Sequence, residues 1–460
     1  MISFDIYKNK FSSVHFIGIG GISMSGLAEI LINEGYNVSG SDMKDSPLLD
    51  RLREKGAKIY IDHKKENIKN PDLVVYTDAI SNDNPEYLEA LDKGLTTVDR
   101  GSFLGQLMRK YENSIAVSGT HGKTTTTGML SVILNESFLD PTILLGGQLD
   151  QIGGNVRIGK TKLLLTEACE YKGNILKFYP TIGIILNVEA DHLDYYKDLD
   201  EIIDTFSKFV RQIPEEGYIV VNNDDKNTVK CLKNPSCNVV TFGINNDSDY
   251  KASDIRFDES GYSHFKLTIN NNESYDVSLN VMGIHNIYNS LAAIAASHVS
   301  GVSINEVLSS IKNYTGTHRR LEDKGSFNNI RVIDDYAHHP TEIKATLSAV
   351  KELGLNNTWC IFQPHTYTRT KTLLKEFGES FFDANKVLIS DIYAAREKDT
   401  GMIHSKDLVD LLKTNGIDAL YFDSFDKIKS YIKENAKNGD LVLTMGAGDI
   451  HKVGEMLVNK

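Results

Sequence analysis

Cysteine is scarce in this chain: 460 residues contain four, Cys169, Cys231, Cys237 and Cys360, with no C-x-x-C pair and no metal-finger spacing. That excludes a disulfide scaffold and makes a reducing compartment the simplest setting. Positive charge is in deficit as well. Fifty Lys and Arg face 62 Asp and Glu, a net charge of −12, which argues against general binding to nucleic acid or anionic membranes and requires any phosphate site to be local. Long apolar runs are missing: the most apolar stretch, Val14 to Ile32, is broken by glycines, serines and Glu29, and the opening Met1-Ile2-Ser3-Phe4-Asp5 has no apolar signal core. A cytoplasmic protein without membrane contact is expected. Internal repeats and low-complexity tracts are absent too.

What is present is a 41% hydrophobic composition, enough for a core in each of about three domains at this length. From Val14 to Ile19, Tyr36 to Ser39 and Leu73 to Tyr76 short apolar runs alternate with helical patterns at Leu27 to Ile32 and Leu48 to Arg53. This alternation predicts a parallel sheet wound with helices. A second α/β unit begins at Ile115, with strands around 163–165, 182–186, 218–221 and 239–242. A polar, Asn-rich, hairpin-like zone follows at 245–278, and a helix from Asn286 to Val299 closes the unit. A third wound sheet follows from near Ile330. The expected domains are 1–112, 113–325 and 326–460.

The most informative stretch is Ser118-Gly119-Thr120-His121-Gly122-Lys123-Thr124-Thr125. A glycine-rich turn between an apolar strand and a helix aims backbone N–H groups and the positive helix end outward together, where a triphosphate can replace water. Lys123 adds a point charge for the β- and γ-phosphates and the Thr124 hydroxyl can hold Mg²⁺. The match to G-x-x-x-x-G-K-[ST] is partial, because Val117 stands where the first glycine belongs. Gly18-Ile19-Gly20-Gly21, with Asp42 past the second strand, is a partial dinucleotide fingerprint in which Ser23 takes the third glycine position; it fits any diphosphate seated on a helix N-terminus.

Glu170 and His192 follow successive strands, where residues converge on the ligand crevice of a parallel sheet, and are candidate Mg²⁺ ligands. His285 and Asn286 open a helix, where a capping role for Asn286 competes with nucleotide contact. Arg319 and Arg320 suit a γ-phosphate or a carboxylate. His338 and His339 precede Pro340, which restricts His339, and polar contacts to nucleotide or substrate are favoured over a transition-metal site.

Taken in order, these segments resemble the Mur ligase family, and within it the branch that adds the first amino acid. The resemblance is carried by Gly18-Ile19-Gly20-Gly21 with Met24, 81–86, the Gly119 to Thr125 loop, Glu170, Glu189-Ala190-Asp191-His192, His285-Asn286, Arg319-Arg320, Asp334 to Pro340 and His365 to Arg369. It implies an α/β protein of three domains: an N-terminal Rossmann-like one for a UDP-sugar, a central P-loop ATPase-like parallel sheet, and a C-terminal Rossmann-like one closing over the amino acid. It also implies ATP-dependent ligation of L-alanine to the lactyl carboxylate of UDP-N-acetylmuramate through an acyl phosphate, with Mg²⁺ as cofactor, by a monomer or weak homodimer.

Carried over residue by residue, the catalytic set would be Lys123, Glu170, His192 and Arg320, with Thr124, Glu170 and His192 on the metal. ATP would meet Gly119, Thr120, His121, Gly122, Lys123, Thr124, Thr125, His285, Asn286, Arg319 as second choice to Arg320, and Asp335 on the ribose. Gly18, Gly20, Gly21, Met24 and Asp42 would receive the UDP-sugar; His338, His365 and Arg369 would receive the amino acid. Lys208 is not assigned the carbamylated-lysine role of some relatives, and the role of Tyr393-Ala394-Ala395-Arg396-Glu397 is open. Rival readings are a recycling ligase adding the L-Ala-γ-D-Glu-meso-diaminopimelate tripeptide to the same sugar, an NAD-dependent oxidoreductase resting on Gly18 to Asp42 alone, and a non-catalytic UDP-sugar sensor.

Overall fold

A computed structural model describes residues 4–193, 195–395 and 397–458; Met1 to Ser3 of the opening stretch and Arg396 lie outside them. Among the described residues there are three sheets, one for each of the expected α/β units. The first is wholly parallel, in the order Lys58–Ile61, Asn37–Asp42, Ser13–Ile17, Leu73–Tyr76, Thr96–Asp99. Val14, Phe16 and Ile17 are buried, as are Val74 and Val75 beside them. Strands covered on both faces carry continuous apolar runs rather than alternation, which is why these were readable. The strand order reverses between Ser13–Ile17 and Leu73–Tyr76, so the turn after Ile17 opens at the switch point where doubly wound folds take ligands.

The second sheet runs Asn238–Gly243, Tyr218–Asn222, Ile182–Ile185, Asn113–Ser118, Leu163–Glu167, Thr142–Leu149, Gly154–Arg157, parallel except for the last pair. Asn113–Ser118, Leu163–Glu167 and Ile182–Ile185 are adjacent, so their carboxyl ends lie side by side. On its other side the order continues through Tyr250–Phe257, Tyr262–Ile269 and Glu273–Met282, which is the Asn-rich zone. Ser263, Phe265, Leu267 and Ile269 are buried with more accessible residues between them, the period of two of a strand with one covered face. The third sheet runs Glu322–Phe327, Ile330–Asp335, Leu441–Met445, Thr358–Phe362, Lys386–Ile389, Ala419–Tyr421, parallel except for the first pair.

Glu322–Phe327 crosses the expected boundary at 325/326. Its sequence, Glu-Asp-Lys-Gly-Ser-Phe, is polar and carries a register shift at Asp323/Gly325, so no apolar alternation marks it. The helix expected from Asn286 begins two residues earlier, spanning Ile284–Val299. Asn286 therefore lies inside its first turn, and its amide donates back to the Met282 carbonyl (2.7 Å). The four thiols are free; three of them are buried.

By contacts the chain forms two compact units: 1–251 with 269–273 and 288–311, and 252–268 with 274–287 and 312–460. The first unit holds the first sheet and the second sheet from Asn238–Gly243 to Gly154–Arg157, and one continuous apolar core runs through both. Close approach of backbone makes this possible. In the Arg100–Met108 helix, a Cβ at Gly105 would lie 1.9 Å from the Lys177 carbonyl oxygen, and one at Gly26 would lie 2.2 Å from Leu144. Asn155 donates to the Ile22 carbonyl (2.6 Å), Arg51 to that of Gly153 (2.6 Å), and Lys177 pairs with Asp99 at 2.7 Å. The Gly105 contact is with backbone, which cannot swing aside. Gly105→Ala is expected to destabilise the protein by about 1–3 kcal/mol, the usual range for overpacking, measured as a fall in the denaturation midpoint; an unchanged midpoint would contradict this contact.

Candidate active site

The glycine-rich loop expected to take phosphate leaves the Asn113–Ser118 strand and enters the Lys123–Glu136 helix. Gly119 and Gly122 have φ of +132° and +85°, a region closed to most side chains, and Gly122 is the residue before the first helical turn. The neighbouring strand end holds the loop in shape. The Asn187 side chain accepts from the His121 N–H (2.7 Å) and donates to the His121 carbonyl (3.1 Å), while Thr120 N–H donates to the Asn187 carbonyl (3.0 Å) and Glu189 N–H to the Thr120 hydroxyl (2.9 Å). Asn187 lies two residues before the Glu189-Ala190-Asp191-His192 stretch and was given no role in the sequence reading. A two-way amide clamp cannot be seen in a sequence.

Lys123 turns its ammonium back under this loop, donating to the carbonyls of Gly119 and Thr120 and to Glu170 Oε2 at 3.2 Å. Burial alone would depress its pKa, but Glu170 and Glu167 outweigh burial and hold it above the ordinary lysine value. Glu170 is almost fully enclosed, and its Oε1 lies 3.7 Å from His192 Nε2. The His192 ring also packs on Tyr171, centroids 4.6 Å apart, from a backbone with φ +55°. The structure thus brings Lys123, Glu170 and His192 together.

It adds a residue the sequence reading passed over. Glu167 ends its strand, accepts from the Gly146 N–H at 2.7 Å and takes the Thr124 hydroxyl at 3.2 Å. Its position as last residue of a buried strand beside the loop was the available signal. Thr124, Glu167 and Glu170 present one hydroxyl and two carboxylates against the single ammonium of Lys123. Hard oxygen donors with excess negative charge are the set a small divalent cation takes, and His192 stands beside them.

In the first sheet, Gly18 (φ +83°) follows the Ser13–Ile17 strand, and the Ile22–Asn33 helix begins after Gly21 with no side chain capping it. Asp42 accepts from the Gly20 N–H at 2.9 Å, so its carboxylate braces the glycine turn rather than standing free toward a ribose. Met24 is buried in the core beneath the turn.

The second compact unit carries the remaining residues and divides the arginine pair. Arg319, at φ +62°, donates to Asp334 (3.1 Å) and to the carbonyls of Gly448 (3.0 Å) and Gly446 (2.6 Å). Arg320 stacks on Tyr336 at 5.0 Å, and its guanidinium donates no hydrogen bond within the described residues. Asp335, expected to face a ribose, is turned inward instead: it accepts from the N–H groups of Leu321 (2.7 Å) and Ala337 (2.8 Å) and from the Thr346 hydroxyl (3.2 Å). Burial pushes its pKa up to about 6 against the pull of Arg320. His285 is held down to about 4 by burial, with Arg320 adding to the effect.

His339 is extended, as the residue before a proline should be, and caps the Pro340–Lys351 helix with Glu342 completing a capping box. His338, His365 and Arg369 come together: the two imidazole centroids are 5.6 Å apart and Arg369 lies 3.2 Å from His365 Nδ1.

Residues 13–112 match the Mur ligase family catalytic domain, 117–297 the Mur ligase middle domain and 319–448 the Mur ligase glutamate ligase domain. The chain is 55% identical to UDP-N-acetylmuramate–L-alanine ligase of Clostridium botulinum (strain Okra / Type B1), covering all of both chains, and 54% identical to that of Acetivibrio thermocellus, covering 98% and 96%. Among solved structures, the UDP-N-acetylmuramate–alanine ligase of Thermotoga maritima superimposes with a TM-score of 0.83 at 30% identity, covering 97% and 98% of the two chains. A murein peptide ligase from Psychrobacter arcticus gives 0.76 at 28% over the same shares.

The different engagement of the two arginines has a measurable consequence. Arg319→Ala removes three internal hydrogen bonds, one to a buried carboxylate, and is expected to cost about 3–5 kcal/mol of stability. Arg320→Ala is expected to leave the denaturation midpoint within about 0.5 kcal/mol of wild type while lowering turnover at least tenfold. The reverse pattern in paired melting and turnover measurements would contradict the assignment.

Proposed function

The chain belongs to the Mur ligase family, and we propose that it is an ATP-dependent ligase joining L-alanine to the lactyl carboxylate of UDP-N-acetylmuramate in peptidoglycan synthesis. The carrying observation is the 53–55% identity, over nearly whole chains, to relatives bearing that activity in their names. The tripeptide-adding alternative is weaker, since the UDP-N-acetylmuramate:L-alanyl-γ-D-glutamyl-meso-diaminopimelate ligase of Neisseria meningitides is 27% identical, against 53–55% for the alanine ligases. An NAD-dependent dehydrogenase would need the acid after the second strand for a ribose; here Asp42 is bonded to Gly20, and such a reading leaves the Lys123 loop without purpose. Among the described residues no helix is long and apolar enough to cross a membrane; the need for ATP and a nucleotide-sugar suits a cytoplasmic enzyme.

A carboxylate is a poor electrophile at neutral pH because its leaving group would be an oxide. Transfer of the γ-phosphoryl group of ATP to the lactyl oxygen gives an acyl phosphate and ADP; attack by the uncharged amine of L-alanine on the carbonyl carbon then expels inorganic phosphate and leaves the amide. Two anions must meet in the first step, so positive charge has to be fixed beforehand. Lys123 supplies it from a position set by the loop carbonyls and Glu170, and the N–H groups of Gly119 to Thr125 would line the phosphates. Thr124 and Glu170, with His192 alongside and Glu167 orienting the Thr124 hydroxyl, would hold Mg²⁺, which when bound neutralises the charge between triphosphate and carboxylate. Arg320 would add its unengaged guanidinium to a phosphate oxygen, while Arg369 would pair with the alanine carboxylate beside His365 and His338. The turn from Gly18 to Gly21 would seat the uridine diphosphate on the positive end of its helix.

The test is phosphate release by the purified protein with UDP-N-acetylmuramate, ATP and Mg²⁺, adding each amino acid or the tripeptide in turn. Release is expected with L-alanine, accompanied by amide product, and is expected to fall at least a thousandfold in Lys123→Ala. Turnover with the tripeptide only would overturn the proposed substrate.

A further inference from the structure

Tyr393 and Glu397 are not used by the mechanism above, yet the fold fastens each of them beside His365 and Arg369. Tyr393 N–H donates to the Pro364 carbonyl (2.8 Å) and the Thr366 N–H donates to the Tyr393 carbonyl (2.9 Å), a two-bond bridge to the strand end that carries His365. Glu397 accepts from the N–H of Thr368 at 3.0 Å and from its hydroxyl, fixing the far end. Thr366 takes φ +65° and caps the Tyr367–Thr372 helix that presents Arg369. The phenol ring of Tyr393 lies nearly parallel to the His365 imidazole, at 19° with centroids 5.7 Å apart, and remains 39% exposed.

A glycine makes room for it. A Cβ at Gly448 would stand 2.7 Å from Tyr393 Cγ and 2.2 Å from Gln363 Oε1. Gly448 itself is held by Arg319 through its carbonyl. Gln363 is buried, its amide nitrogen donates to Asp449 (3.2 Å), and its Oε1 has no hydrogen-bond partner. At one corner the structure therefore places a guanidinium, an imidazole whose Nδ1 faces that guanidinium, an aromatic ring and a buried acceptor. Those groups match the carboxylate, side chain and amino group of an α-amino acid.

We propose that Tyr393 is a specificity-determining residue of the amino-acid pocket, its ring forming the wall that limits the substrate side chain to a methyl group, with Gly448 setting its position. The proposal rests on the reading of the chain as an alanine-adding ligase and names a residue for that choice. An aromatic wall whose backbone is anchored to Pro364 and Thr366 discriminates by exclusion, because a longer side chain must turn the ring out of its stacking on His365. One extra methylene is worth on the order of 10–200-fold in such a pocket.

The test is a steady-state comparison of L-alanine with L-2-aminobutyrate and L-valine on wild type, Tyr393→Ala, Tyr393→Phe and Gly448→Ala, with melting temperature recorded for each. Wild type is expected to prefer L-alanine over L-2-aminobutyrate by at least about tenfold. In Tyr393→Ala that preference should fall to within about threefold, through a raised KM for L-alanine with kcat held within about threefold, while Tyr393→Phe retains wild-type selectivity. Gly448→Ala, which pushes the ring aside without removing it, should reproduce the loss. Unchanged selectivity in folded Tyr393→Ala, or equal loss in Tyr393→Phe, would overturn the proposal while leaving the ligase reading intact. A wild type that does not use L-alanine at all would instead overturn the reading on which it rests.

Discussion

One buried lysine answers two carboxylates beneath the glycine loop, and the rest of the geometry proposed to take the nucleotide follows from that imbalance. Glu170 is enclosed and paired with Lys123, while Glu167 is steadied by a backbone N–H and the Thr124 hydroxyl. Removing acids from water is unfavourable unless they are paired or bound to a cation. The fold tolerates the excess because three adjacent strands end together and so deliver the loop, the two acids and the His192 segment to one edge of the sheet. Asn187 fixes the loop by holding both the N–H and the carbonyl of His121. Such preorganisation is what makes charge effective in a low-dielectric cleft.

The second unit applies the same logic to its arginines. Arg319 is spent on architecture: it ties the Gly446 and Gly448 carbonyls to Asp334, and Asp334 in turn accepts from Thr444 at 2.6 Å. Because its neighbour does this, Arg320 keeps its donors. Tyr336 lies under both guanidinium groups and begins a row of rings that continues through His338 and His365 to Tyr393, with centroid spacings of 5.6, 5.6 and 5.7 Å. The groups proposed to bind phosphate and the amino acid are thereby positioned by one packed series of side chains.

Much of this was legible in the sequence, for physical reasons. Strands buried on both faces, such as Ser13–Ile17 and Asn113–Ser118, announce themselves as apolar runs, and glycines at positive φ mark the two turns that follow them. Short or polar edge strands did not: Ala419–Tyr421 has three residues, and Glu322–Phe327 carries four polar or charged positions and a glycine. Residue identity also outran residue orientation. Asp42, Asp335 and Asn286 stand where the family pattern puts them, yet their polar atoms are engaged by backbone groups. Glu167 and Asn187 were missed because their work is done through hydrogen bonds across strands distant in the chain, which no local pattern encodes. The ring of Tyr393 became interpretable only when its parallel stacking on His365 was known.

The central claim is that ATP converts an unreactive carboxylate into an acyl phosphate that the amine then opens. The most direct test uses UDP-N-acetylmuramate labelled with ¹⁸O in the lactyl carboxylate, with unlabelled ATP and water, and analyses the released phosphate by mass spectrometry. The account predicts one ¹⁸O transferred to each phosphate formed along with amide product. Phosphate free of label, formed together with the amide, would contradict it.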